Sequence, residues 1–197
     1  MSRSINIFAA LAAISFMCAP AFVSASPKTS KLKGAMKFLS EAPLEKIVGT
    51  ADGMGEVAFD PMNLSALKGK IIVPVKSMKT GNERRDSHLR SEGWLDEAKF
   101  PEITFVSKVV KPVGEVVTKG PVSSAKVTVE GDFTLHGVTK PLTAEVELKW
   151  KGDKLKLKTQ FQIALADYNV AGTGDIVGSK VGKTIDVQVR LRGVVSK

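Results

Sequence analysis

The chain has 197 residues, a formal net charge of +9 at neutral pH, and 43% hydrophobic but only 6% aromatic residues. Its single cysteine excludes an internal disulfide and a metal site made of several thiolates. With one Tyr and two Trp, it lacks the mixture of aromatic and basic residues that favours nucleic-acid binding, so we predict no nucleic-acid partner.

The first predicted element is a secretory signal peptide at residues 1–25. Arg3 precedes an apolar run from about Ile5 to Met17, and the segment ends in small residues at Ala25. This layout predicts cleavage after Ala25, loss of the cysteine with the signal, and a mature protein in the periplasm. An uncleaved anchor is the alternative, although the run is shorter than the roughly 20 residues of a membrane-spanning helix.

A flexible leader is predicted next, because Ser26 to Lys33 is polar and basic. Residues 34–197 are predicted to form a single domain that consists mostly of strands. Short apolar stretches on either side of Pro43 are the first candidates, and Gly69 to Val75 is a later one. Pro74 predicts that this later strand is an edge strand or carries a bulge.

The segment TGNERRDSHLRSEGWLD is predicted to form a short helix that covers an opening of the sheet. Thr80 and Glu83 have the spacing of a capping box, and Gly93 would end the helix. Basic side chains there also suggest a rim for an anionic headgroup, since Arg binds phosphate through two hydrogen bonds. The two interpretations are compatible. The apolar anchors are Leu89, Trp94 and Leu95, and the rim candidates are Arg84, Arg85, His88 and Arg90.

The second half of the chain alternates apolar and polar residues in a series of segments joined by turns. These segments are Ile103–Val110, Ala125–Leu135, Leu142–Lys151, Lys154–Leu165 and Thr184–Val194. We expect the second and third to pair across the turn-rich sequence HGVTKP. Such alternation without a helical period predicts an all-β fold, an antiparallel up-and-down β-barrel of about eight strands with a short capping helix. A sandwich and an outer-membrane barrel are the alternatives.

Several patterns that suggest chemistry lack the spacing that the chemistry needs. His88 and His136 have no partners at metal-ligand spacing, and no serine lies in a strand–turn–helix elbow. The segment AGTGDIVGSKVGKT has too few residues between its glycines for a phosphate-binding loop. We therefore predict no catalytic residues and no metal site, and we interpret this segment as a loop at the mouth of the barrel.

Two blocks of motifs occur together. The first contains Thr80-Gly81-Asn82, Arg85-Asp86, His88-Leu89-Arg90-Ser91, Leu95-Asp96 and Pro101 with Ile103-Thr104-Phe105, and the second is Gly131 to Pro141, GDFTLHGVTKP. Together they resemble the YceI-like family of exported lipocalin-like proteins. The resemblance implies an extended β-barrel with a long apolar pore for polyisoprenoid chains, such as isoprenoid quinones or polyprenyl phosphates. It implies neither catalysis nor a metal, and we predict no cofactor apart from a bound polyisoprenoid or quinone lipid. Two positions depart from the family pattern: Leu39 follows Phe38 where a His is usual, and Ala166-Asp167-Tyr168-Asn169 replaces a segment with Phe-Gly.

The apolar face and this resemblance lead to two functional hypotheses. The first is a periplasmic carrier or sequestering protein for a long apolar ligand. The second is a structural or stress-related interaction module whose barrel is filled by its own side chains. Homodimer formation and transient contact with a membrane surface stay open in both. The pore candidates are Phe105, Val129, Phe133, Leu135, Val146, Leu148, Trp150, Phe161, Ile163, Leu165, Ile185, Val187 and Val189.

Overall fold

The computed structural model describes residues 28–174 and 176–195, so the predicted signal peptide lies outside it. Eight antiparallel strands form a closed barrel in chain order, with the last strand paired to the first. This confirms the up-and-down barrel with one short helix. The elements are β1 Lys28–Glu41, β2 Lys46–Phe59, β3 Lys68–Pro74, α1 Glu83–Arg90, β4 Glu102–Lys119, β5 Val122–Leu135, β6 Val138–Lys151, β7 Lys154–Ala164 and β8 Thr184–Val195.

Alternation along each strand places apolar side chains inside the barrel and charged ones outside. On β7, Leu155 is fully buried and Ile163 is buried, whereas Lys154, Lys156 and Lys158 are exposed. This arrangement is the reverse of that in an outer-membrane barrel, whose apolar residues face outward. Among the described residues, no helix has the length and hydropathy needed to cross a membrane.

The prediction of a flexible leader is wrong for residues 28–33. These residues form the beginning of β1 and pair with both β2 and β8. Leu32 is 1% exposed and points into the barrel, while Lys31 and Lys33 point outward. The basic composition that suggested a leader is therefore the solvent face of a strand.

The turn between β5 and β6 is shorter than predicted, because only two residues of HGVTKP form it. His136 and Gly137 have φ values of 50° and 73°, the left-handed pair that a two-residue hairpin of type I′ requires. Val138 to Pro141 already belong to β6 and pair with β5. The ring of Phe100 packs against Gly137 and meets His136 edge-on at 5.1 Å.

The two ends of the barrel differ. One end carries the β1–β2 turn, α1, the β5–β6 turn and the loop between β7 and β8. At the other end, Phe59 and Trp150 pack edge-to-face at 5.4 Å. Side chains that are at most 1% exposed fill the space above them, and we call this packed end the floor. These side chains are Leu32, Val127, Leu148 and Leu155.

Candidate ligand-binding cavity

Above the floor the barrel encloses a cavity of about 480 Å³, which on the β2–β3 side is lined as far down as Val57 and Leu67. Its wall consists mainly of apolar side chains that point inward from the strands. The mouth is formed by α1, the β1–β2 turn and the glycine-rich loop after β7. Thr173, Ile176 and Val181 of that loop line the cavity, so the described part of the loop lies at the mouth as predicted.

Most of the predicted pore residues line this cavity, but two of them do not. Leu148 points inward at a deeper level, where it is fully buried in the floor. Trp150 lies deeper still, against Phe59. Whether the lining residues bind a ligand stays a prediction. Those that line the cavity are Phe105, Val129, Phe133, Leu135, Val146, Phe161, Ile163, Leu165, Ile185, Val187 and Val189.

Glycines in the wall let aromatic rings lie flat against the backbone. A Cβ on Gly49 would come within 2.0 Å of the Phe38 ring, and one on Gly131 within 2.6 Å of the Phe105 ring. Both rings line the cavity. Because the glycines leave room for the rings beside the wall, these rings occupy less of the interior.

The N-terminus of α1 is capped by a residue other than the predicted one. Asn82 has an extended backbone, and its side-chain oxygen accepts a hydrogen bond from the Arg85 amide at 3.1 Å. Thr80 therefore does not form the capping box that its spacing to Glu83 predicted. Instead, its hydroxyl donates to the Asp86 carboxylate, and its amide donates to the same oxygen at 2.7 Å.

Asp86 is a buried carboxylate that ties the helix to the preceding segment, with 8% of its surface exposed. Burial alone would raise its pKa, but the Thr80 hydrogen bonds and the nearby Arg90 and Arg85 charges outweigh burial and lower the pKa. A lowered folded-state pKa means that ionised Asp86 stabilises the fold above its unfolded-state pKa. This stabilisation is lost as the pH falls through the folded-state value.

Arg85 and Arg90, two of the rim candidates, are held in ion pairs. The Arg85 guanidinium pairs with Glu45 of the β1–β2 turn and donates to Thr80 Oγ1 at 2.9 Å and to the Thr80 carbonyl at 3.2 Å. Arg90 pairs with Glu97 at 3.5 Å and does not line the cavity. Arg85 therefore joins the helix to the β1–β2 turn.

The other two rim candidates, Arg84 and His88, are exposed and line the cavity at its mouth. Lys180 of the glycine-rich loop lines it as well, although the sequence did not single this residue out. The only available signal was its position in the predicted mouth loop. The basic side chains that line the cavity and carry no ion pair among the described residues are thus those of Arg84, His88 and Lys180, together with Lys37 on β1.

The predicted apolar anchors hold α1 and the segment after it against the barrel. Trp94 and Leu95 are 7% and 5% exposed, and Leu89 is half-buried. The Trp94 ring lies on Gly172, whose φ of 73° favours glycine and whose Cβ would be 2.7 Å from the ring. This contact fastens the helix segment to the glycine-rich loop.

Replacing Arg85 by alanine should loosen the mouth without unfolding the barrel. We expect amide hydrogen exchange in residues 41–46 to become about two- to tenfold faster, because the partly exposed pair with Glu45 and the bonds to Thr80 are lost. Arg90→Ala is the matched control, since its partner Glu97 lies in the same segment. Equal acceleration in both variants would show that Arg85 does not hold the β1–β2 turn to the helix.

The two histidines lie in different structural elements. His136 lies in the β5–β6 turn, where its Nδ1 is 3.2 Å from the Tyr168 carbonyl oxygen, and His88 lies in α1. Within residues 28–174 and 176–195, no group of three or more His, Cys, Asp or Glu side chains is arranged to hold a metal ion.

Comparisons with known proteins agree on one family. The model of the YceI-like domain matches residues 25–192. A UPF0312 protein of Vibrio campbellii is 33% identical over 146 residues, which cover 71% of this chain and 69% of that protein. Protein YceI of Salmonella arizonae is 32% identical over 149 residues, which cover 73% and 71% of the two proteins.

Solved structures show the same fold. BcnA of Burkholderia cenocepacia superposes with a TM-score of 0.69 at 21% identity, covering 83% of this chain and 95% of that one. A polyisoprenoid binding domain from Saccharophagus degradans, implicated in plant cell wall breakdown, superposes with a TM-score of 0.65 at 15% identity. That match covers 86% of this chain and 99% of that one. At these identities the likeness concerns the fold alone.

Proposed function

This chain belongs to the YceI-like domain family, and we propose that it binds a long apolar lipid, of the polyisoprenoid or isoprenoid-quinone class, in the barrel cavity. The observation that carries the proposal is the cavity of about 480 Å³, which has an apolar wall and a mouth at one end. An apolar wall provides few hydrogen-bond partners for water or a polar solute, so the cavity favours an apolar chain.

Burial of the chain supplies the binding free energy. Each methylene-sized unit removed from water contributes about 0.8 kcal/mol before the losses of mobility on binding are subtracted. The structural neighbour described as a polyisoprenoid binding domain supports this ligand class. We further propose that the protein acts in the periplasm as a carrier or sequestering protein without catalytic activity, and the family match begins at residue 25, where the predicted signal peptide ends.

The alternative, a barrel filled by its own side chains, describes only part of the molecule. The floor is packed in this way, with Leu148 and Leu155 fully buried. The remainder of the barrel contains the cavity, which those side chains do not reach. We therefore favour the binding protein over the interaction module.

Native mass spectrometry of the protein purified from its own periplasm tests the proposal. We expect an added mass that organic extraction removes, and we expect the extracted protein to bind prenol or quinone ligands in a fluorescence titration. The same spectrum reports the subunit count. Protein that carries no extractable lipid and binds neither ligand in titration would contradict the proposed function.

The headgroup preference depends on Arg84 and Lys180. Because both are exposed at the mouth and carry no ion pair among the described residues, they are available to a phosphate. We expect Arg84→Gln with Lys180→Gln to weaken binding of a prenyl phosphate about tenfold or more, since a hydrogen bond to a charged group contributes about 1.5–3 kcal/mol. Binding of the prenyl alcohol of equal length is the control, and equal losses for both ligands would exclude a phosphate rim.

A further inference from the structure

The outer surface of the barrel has one face on which basic residues from four neighbouring strands lie side by side. The pairing register places Lys149 of β6 opposite Lys156 of β7, which lies opposite Arg192 of β8. Arg192 in turn lies opposite Lys33 of β1. In the next row, Lys158 lies opposite Arg190. We call this surface the basic face, and its members are Lys33, Lys149, Lys156, Lys158, Arg190 and Arg192.

Charge on the basic face is almost uncompensated. Its acidic neighbour on β6 is Glu147, which lies opposite Lys158 and pairs with Lys149 at 2.9 Å. At the other margin, Asp52 and Glu56 of β2 lie diagonal to Lys33 and form no ion pair with it. The hydrogen bond from Lys149 lowers the pKa of Glu147, and burial of the carboxyl group opposes this effect. The positive charges of Lys149, Lys158 and Lys126 lower the pKa further. The other basic side chains of the face form no ion pair among the described residues.

A second face of the same barrel serves as an internal comparison. On β4, β5 and β6, basic and acidic residues alternate across the strands and form ion pairs. Their Nζ–carboxylate distances are 2.7 to 2.9 Å, in the pairs Lys108–Asp132, Lys111–Glu130 and Lys126–Glu145. Such alternation keeps a sheet soluble and also stabilises it.

The basic face lacks this alternation of charge, and the repulsion between its side chains lowers the stability of the sheet. Like charges directly opposite each other on paired strands destabilise a sheet, whereas opposite charges stabilise it. Solubility alone therefore does not account for the basic face, because alternating charges on β4 to β6 serve it without repulsion. A surface on which positively charged side chains lie close together despite their mutual repulsion is suited to a partner that carries closely spaced negative charges.

The geometry indicates what kind of polyanion fits. Neighbouring strands are about 4.8 Å apart and alternate residues about 6.7 Å apart, so the cations form a two-dimensional grid. All of them except Lys33 line a shallow groove, together with Glu147 and the small residues Gly34 and Ala35. The groove is lined by no aromatic side chain that could stack on nucleobases. Long basic side chains around an accessible groove match an array of lipid phosphates.

We propose that the basic face binds the anionic surface of a phospholipid bilayer and holds the barrel on the membrane. The inference does not depend on a lipid in the cavity, because the basic face lies outside the barrel. It extends the proposed function by placing the protein at the surface where apolar lipids reside. Each basic residue close to an anionic bilayer strengthens binding roughly fivefold, and salt weakens the attraction.

A variant that inverts two charges tests the proposal. Lys156→Glu with Arg190→Glu makes the charges alternate across β6, β7 and β8, because each new Glu lies opposite a basic residue. We expect binding to phosphatidylglycerol–phosphatidylethanolamine vesicles, measured by sedimentation at low salt, to fall by more than about twentyfold. We also expect Tm to rise by about 2–4 °C as repulsion gives way to attraction.

The matched control, Lys68→Glu with Lys119→Glu, changes the net charge by the same amount on β3 and β4, far from the basic face. It should retain most of the vesicle binding. Equal losses in the two variants, or no binding by the unaltered protein, would overturn the proposal. Tighter binding to soluble polyphosphate than to vesicles at equal phosphate concentration would also overturn it, in favour of a soluble polymer. Ligand titration of the same variants reports on the cavity separately.

Discussion

Replacing Ala144 by tryptophan should abolish lipid binding and leave the barrel folded. Ala144 lies on β6 opposite Val129, and both residues line the cavity. An indole at this position would occupy space that the proposed ligand needs, while its own burial in an apolar cavity would favour the folded state. We expect the affinity for prenol ligands to fall more than about tenfold, with Tm unchanged or higher.

Thr143→Trp is the control for this variant. Thr143 is the neighbouring residue on the same strand, and it is exposed on the outer face. The control should therefore bind prenol ligands as the unaltered protein does. Undiminished binding in Ala144→Trp, together with native circular dichroism, would show that the cavity is not the binding site.

The second large effect is expected in the floor. Leu148 is fully buried and does not line the cavity, so Leu148→Ala creates a new void among packed side chains. We expect the free energy of unfolding in urea to fall by about 2–5 kcal/mol, the sum of lost burial and the cavity left behind. Ligand affinity should change far less than stability, because the substituted side chain does not face the ligand.

Leu142→Ala is the matched comparison, since Leu142 is a half-buried leucine that lines the existing cavity. Its truncation enlarges a space that is already open and removes fewer contacts, so the loss should be less than half of that at Leu148. Equal losses at the two positions would mean that the two halves of the barrel are packed alike.

Alternation of side chains was enough to predict the strands and which face of each is apolar. It could not predict depth along the barrel axis. Val146 and Leu148 are both inward residues of β6, yet Val146 lines the cavity and Leu148 belongs to the floor. Depth is set by the stagger between neighbouring strands and by Trp150 and Phe59 at the closed end, which involve residues far apart in sequence.

Local patterns failed where two residues could serve the same role. Thr80 and Asn82 both precede α1, and the structure uses Asn82 as the cap because Thr80 is engaged with Asp86. The basic face could not be predicted from the sequence for a related reason. Each of its strands shows ordinary alternation, and only the register brings Lys156 against Arg192.

The closed floor also determines from which end a ligand can enter the barrel and how much of its chain can be buried. With Phe59 and Trp150 packed across the closed end, an isoprenoid cannot thread through the barrel. We expect the proposed ligand to enter with its tail first, and any units beyond the depth of the cavity to stay outside with the headgroup. Chains that differ only beyond that depth should therefore bind with nearly equal affinity. We expect the protein to require a minimum chain length and to set no maximum chain length.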